Sequence, residues 1–169
     1  MYSTVCFEEP KIFKDQKIIQ SIFGIQDIFL EKNSSLKLEG KISLSHNIHI
    51  SGTCSINNGS ALKTGCIIEN VNIGKENNIR EYSIIKNSSC GDNNVIGPFC
   101  FIRDQTIIEN SCIVGSHVEV ARSSLSSQVR VSHQAFIGDA SIRNNVNIGA
   151  GVVFCNFNGE SRQQSTIGE

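Results

Sequence analysis

Residues 96–154 read IGPFCFIRDQTIIENSCIVGSHVEVARSSLSSQVRVSHQAFIGDASIRNNVNIGAGVVF. Stepping by six from Ile96, with an occasional step of five, reaches Ile102, Ile108, Val114, Val120, Leu125, Val131, Ile137, Ile142, Ile148 and Phe154. Stepping backwards by the same rule reaches Cys90, Ile85, Ile79, Ile73, Ile67, Leu62, Ile56, Ile50 and Leu44. Every position is apolar. The shorter steps fall at 62→67, 85→90, 120→125 and 137→142 and read as tightened corners. Four residues after each aliphatic position the side chain is mostly small or β-branched: Cys54, Ser60, Cys66, Val71, Ser83, Cys100, Thr106, Cys112, Val118, Val129, Ala135, Val146 and Val152. A helix repeats at 3.6 residues and a simple strand at two, and neither gives six.

A period of six with a small inward residue at the fifth place predicts a prism. Three short strands and three turns make one coil of about 18 residues, and coils stack at the strand spacing of about 4.8 Å. Each aliphatic side chain points to the axis and sits on its counterpart one coil earlier. The fold class is therefore all-β, a parallel β-helix of hexapeptide repeats, preceded by a short N-terminal helix. In such a solenoid each coil is stabilised by its neighbours, and the ends need caps.

Composition agrees and narrows the partners. The 169 residues carry 15 basic and 16 acidic side chains, a formal net charge of -1. Nothing in that balance points to nucleic acid or an anionic membrane surface. No segment approaches the roughly 18 uninterrupted apolar residues of a membrane span. The start, MYSTVCFEEPKIFKDQ, lacks a charged region followed by an apolar run, so a cytoplasmic protein is expected. The seven cysteines form no CxxC pair or close Cys/His cluster, so free thiols are expected and no metal is. The ladder places Cys54, Cys66, Cys100 and Cys112 in the small inward slot and Cys90 in an aliphatic one. Cys6 and Cys155 stay outside it.

Residues 1–40 read as an N-terminal segment capping the solenoid and residues 41–169 as the β-helix. In the first, PKIFKDQKIIQSIFG predicts a helix with Pro10 in its first turn, Gly24 at its end and Ile12, Ile19, Ile22 and Phe23 as its apolar stripe. In the second, an expelled loop is expected at about 155–166, before Ile167-Gly168-Glu169 restarts the hexad as though the solenoid were cut short.

The strings IGPF (96–99), VSHQAFIGDA (131–140), NVNIGAG (145–151) and CNFNG (155–159) carry more than hexads. In that order and spacing they resemble the acetyltransferase domain of the bacterial bifunctional glucosamine-1-phosphate acetyltransferase/N-acetylglucosamine-1-phosphate uridyltransferase. The likeness runs from about Leu36 onward, with no counterpart of the uridyltransferase half. It implies a left-handed coil and a homotrimer that moves an acetyl group from acetyl-CoA to the amine of an amino-sugar phosphate, in clefts between chains. His133 matches the family's catalytic base, a role that suits imidazole. Arg103 matches a phosphate-binding arginine, Glu119 an acid near the amino sugar, and Asn147 a sugar-contacting asparagine. Asn156 matches a residue on the acetyl-CoA side. His46, His49 and His117 read as surface histidines.

Four positions depart from the family pattern. Ala121, one coil above Arg103 in the same column, stands where the family has a lysine that shares the phosphate. Arg122 is next to it, but neighbouring strand residues face opposite ways, so it substitutes only if a bend turns it. Phe136 replaces a tyrosine that contacts the sugar phosphate, Phe157 a tyrosine of the loop on the acetyl-CoA side, and Arg162 a lysine at the substrate. The later coils and tail that complete the coenzyme site in the family are expected to be missing. Three readings follow: an acetyltransferase acting on a glucosamine-1-phosphate-like acceptor, an acyltransferase for a nucleotide-linked amino sugar, and a catalytically inactive trimeric scaffold or regulatory homologue.

Overall fold

The computed structural model describes residues 2–168 and is a left-handed parallel β-helix with one short helix. Met1, and Glu169 with the end of the restarted hexad, lie outside the described residues. Successive coils pair in parallel 17 or 18 residues apart, as in Ile102↔Val120 and Val120↔Ile137. The prism has three faces. In the later coils the first carries Val95–Ile96, Ile113–Ser116, Arg130–His133 and Asn147–Ile148. The second carries Phe101–Arg103, Glu119–Ala121 and Phe136–Gly138. The third carries Ile107–Ile108, Ser124–Leu125, Ala140–Ile142 and Ser165–Ile167.

The axis is filled as the period requires. Ile50, Ile56, Ile73, Ile79, Ile85, Ile96, Ile102, Ile108, Val120 and Ile137 are fully buried. Each such side chain contributes about 1.5–3 kcal/mol by leaving water. One rung differs from the sequence expectation. Ile68, not Ile67, points inward, stacked between Ile50 and Ile85, while Ile67 faces out against His49 and Ile84. The short step therefore falls at 68→73. With that correction every five-residue step lies at one edge of the prism, between the second and third faces.

The slot beside the aliphatic ladder is narrow and partly polar. Ser60, Ser83 and Thr106 are buried there beside Cys54, Cys66, Cys100 and Cys112. The thiols do more than fill space: Cys66 Sγ donates to the Arg80 carbonyl at 3.2 Å and Cys112 Sγ to the Ser126 carbonyl at 3.1 Å. Buried Asn77 and Asn94 form a short interior ladder. Asn77 Oδ1 accepts the Asn94 N–H at 3.0 Å, and Asn94 Oδ1 accepts the Cys112 N–H at 2.8 Å. Their amide groups donate to the Gly91 and Glu109 carbonyls, so neither is left unsatisfied. Val152, expected inward, is 37% exposed because no described coil covers it.

The N-terminal segment differs most from expectation. Strand β1 (Ser3–Phe13) runs through Pro10, and helix α1 is confined to Gln16–Phe23. After strand β2 (Ile28–Leu30) comes strand β3 (Ser35–Leu44), with which β1 pairs antiparallel. The register slips between Phe7 and Lys11, and Pro10 sits in that irregularity, where a missing N–H breaks no ladder bond. Ile12 is consequently an exposed strand residue and not part of a helical stripe. Asp15 caps α1 by accepting the Lys17 N–H at 2.8 Å, and Gly24 ends it at φ 65. Ile19 and Phe23 are buried, whereas Ile22 is largely exposed. Phe23 meets the Phe7 ring at 6.3 Å, so the helix packs against β1.

Two outcomes check this core. Ile102→Asp should abolish cooperative folding, read by circular dichroism on heating, because a carboxylate on the axis has no partner. Ile107→Asp, at an outward position that is 52% exposed, should melt within a few degrees of the unsubstituted chain. Equal damage from both would refute the inward ladder. In a thiol titration, exposed Cys6 and Cys155 should react in the native protein. Cys54, Cys66, Cys90, Cys100 and Cys112 should react only after unfolding, since burial pushes the thiols of Cys66, Cys90 and Cys100 up to about 12.

Candidate active site

The edge between the second and third faces builds the site. Where a six-residue step turns this corner, Asp104 and Gln105 both take left-handed backbone, with φ 57 and 60. Where the step is five, one residue must make the turn. Arg122, at φ 50, does so in one coil and Asp139, at φ 51, in the next. Ala121, expected to share an outward column with Arg103, does pair with it in register but is fully buried. The bend swings Arg122 outward, so it joins Arg103 instead of facing away from it.

The charged groups interlock. Arg103 reaches along its face to Glu119, its Nε and Nη2 donating to Oε1 at 2.9 and 2.6 Å, and it packs over the Phe101 ring at 5.4 Å. Its Nη1 donates to Asp104 Oδ2. Arg122 grips Asp139 with both ends of its guanidinium, Nε to Oδ1 at 2.7 Å and Nη2 to Oδ2 at 3.0 Å. Its Nη1 reaches the same Asp104 Oδ2 at 3.0 Å. Asn156 donates from Nδ2 to Asp139 Oδ2 at 2.5 Å. Gly138 makes room for this approach. A Cβ there would lie 2.5 Å from Asn156 Nδ2 and 2.6 Å from the Phe136 ring.

Arg103, Asp104, Arg122 and Arg162, with Asn87 and Gln105, line an open cleft of about 400 Å³. The Arg122 bonds, then Asn156 and the Arg162 charge, hold the Asp139 carboxyl below its ordinary range. The bonds to Asp139 raise Arg122 in turn. Three guanidiniums that converge on an open cleft form a seat for an anionic group with several oxygens, such as phosphate.

Of the residues singled out in the sequence, the structure brings Arg103, Glu119, Asn156 and Arg162 together and sets Phe136 beside them. His133 lies at the other edge of the second face, exposed, in register with Ser116. Asn147 is on the first face and stacks on Arg130. It lines a separate groove of about 750 Å³ with Ser111, Gln128, Arg130, Ser132 and Asn145. Phe157 is 60% exposed, and its backbone bridges to Arg162 in the turn that begins after Phe154. His46 bonds to Asp27, His117 to Ser116, and His49 stacks on Phe29.

The residues missed were Asp104 and Asp139, and the bend on which Arg122 depended turns it outward. For Asp139 and for Arg122 the available signal was the five-residue step itself. No group of three or more His, Cys, Asp and Glu side chains capable of holding a metal ion occurs among the described residues.

Residues 87–122 match the family described as bacterial transferase hexapeptide, six repeats. Over 118 residues the chain is 40% identical to the bifunctional protein GlmU of Baumannia cicadellinicola, covering 70% of this chain and 25% of that protein. It is 37% identical over 118 residues to GlmU of Synechococcus sp. strain CC9902, covering 70% of this chain and 26% of the relative. With GlmU of Wigglesworthia glossinidia brevipalpis it shares 37% over 106 residues, 63% of this chain and 23% of that one. The chain thus spans about a quarter of the length of these relatives. Hexapeptide repeats thus build the chain, which over 70% of its length is similar to part of GlmU.

Asp139→Asn tests the clamp. A carboxyl whose pKa is lowered on folding contributes stability that is fully present above its unfolded value, near 4, and fades as pH falls through its folded value. The variant should therefore lose about 1 kcal/mol or less at neutral pH. Denaturant melts of the two proteins should converge as pH drops below about 4, the unfolded carboxyl value. A gap that persists unchanged into acid would contradict the assignment.

Proposed function

We propose that this chain is an acyltransferase that moves an acetyl group from acetyl-CoA to the amine of an amino-sugar phosphate, working as a homotrimer. The observation that carries the reading is the convergence of Arg103 and Arg162, 59 positions apart, on one cleft with Arg122, beside Glu119 and Asn156. The phosphate binds at the arginines, and the amino sugar extends along the second face past Glu119 and Phe136 toward His133. There the imidazole takes a proton from the substrate ammonium. The freed amine attacks the thioester carbonyl, the N–C bond forms, the C–S bond breaks and CoA leaves as its thiol.

The trimer is supported by what the faces present. The outward column of the second face runs Phe29, His49, Ile67, Ile84, Phe101, Glu119, Phe136 and Val153. The equivalent column on the third face runs Ser55, Asn72, Ser89, Ile107, Ser124, Ser141 and Thr166. A long apolar stripe on one face of a narrow rod favours contact with another copy. Such packing brings the His133 edge of one chain near a neighbour, and with it the Asn147 groove. Asn156 and Phe157, at the top of the second face, lie on the acetyl-CoA side.

The test is release of CoA thiol from acetyl-CoA with glucosamine-1-phosphate as acceptor. His133→Ala should keep its circular dichroism and melting point and lose about 10²–10⁴ of the rate. Unchanged turnover would remove His133 as the base. Absence of thiol release by the unsubstituted chain with any amino-sugar phosphate would remove the acyl-transfer reading.

A further inference from the structure

Asp104 has a role that neither arginine's positioning requires. Glu119 already holds Arg103, and Asp139 already holds Arg122 in a two-point grip. Asp104 lies between the two guanidiniums, one of its oxygens accepting from Nη1 of each. These arginines come from successive coils, so the shared oxygen spans two layers of the solenoid. The carboxylate is 43% exposed and borders the cleft, whereas Asp139 is 16% exposed behind Arg122. Three guanidiniums, Arg103, Arg122 and Arg162, thus face three carboxylates, Asp104, Glu119 and Asp139, and the formal charge of the cluster is zero.

We propose that Asp104 is a built-in competitor for the substrate anion: its oxygen fills the position between Arg103 and Arg122 that a phosphate oxygen takes, and a ligand enters by displacing it. The inference rests on the reading of this cleft as a phosphate site. Guanidinium geometry accepts carboxylate and phosphate alike, so one can stand in for the other. Ion pairs this exposed are individually weak, so a ligand offering three oxygens can displace a single one. The left-handed turn at Asp104 and Gln105 gives the side chain a route outward, because the third face resumes only at Ile107. Asp104 is therefore a specificity-determining residue. It keeps the arginines paired when the cleft is empty and sets how much negative charge a ligand must bring to open it.

Calorimetric titration of glucosamine-1-phosphate into the full chain and into Asp104→Asn tests this at low ionic strength. Asparagine keeps the size and tolerates positive φ, and it removes only the charge. Asp104→Asn should bind about ten-fold more tightly, the size expected for removing one nearby like charge. Asp104→Gly, which also accepts the backbone, should show the same gain if the asparagine variant folds poorly. In an Arg122→Ala background the gain should shrink. Equal or weaker binding by both Asp104 variants, with measurable binding by the unsubstituted chain, would overturn the competitor role and leave the phosphate site standing. No binding by any of the proteins would overturn both.

Discussion

Everything in this protein follows from the stacking of one inward aliphatic side chain per strand on its counterpart a coil away. Neither partner of such a contact is buried without the other, so the core is a set of columns and each coil depends on its neighbours. The register that results is strict. A slip of one residue would send Ile102 outward and Arg103 to the axis, where an unpaired guanidinium is prohibitive. The outer surface inherits this order, because residues at equivalent places on successive coils are forced into columns whose members sit about 4.8 Å apart.

The site uses the one irregularity that such a scaffold permits. At the edge between the second and third faces some coils make the corner with one residue fewer. The residue that begins the corner keeps its register position, and the next one is thrown out on left-handed backbone. Ala121 and Arg122 are such a pair, and Asp139 is the outward residue one coil later. Two short corners above a long one thus bring together charges from three coils. The rigid rod holds the arginines close to one another, and the carboxylates among them neutralise a cluster that would otherwise repel itself.

How far this could be read in advance depends on how local each signal was. The six-residue period was legible because it recurs through most of the chain. It slipped at one rung, where Ile67 and Ile68 are adjacent and equally apolar, and only stacking against Ile50 and Ile85 decides between them. Pro10 was misplaced for a similar reason. Proline suits a first helical turn and an irregular edge strand alike, and the pairing of β1 with β3 settled the matter. Arg103, Glu119, Asn156 and Arg162 were singled out through resemblance. Asp104 and Asp139 were not, because an acidic residue at a turn looks the same whether it faces water or an arginine from another coil.

The amino-acid sequence by itself determined the class of fold and the identity of the axial columns. Both depend on the order of apolar and small residues along the chain, which is local information repeated many times. It also determined that most cysteines are packed, since the same period places them. The three-dimensional structure alone decided that Arg122 faces Arg103, that Asp104 lies between them, and that Asn147 and His133 stand apart from that cleft. Those relations depend on where a corner bends and on what occupies the coil above or below. No stretch of sequence shorter than a full circuit of the prism contains both partners.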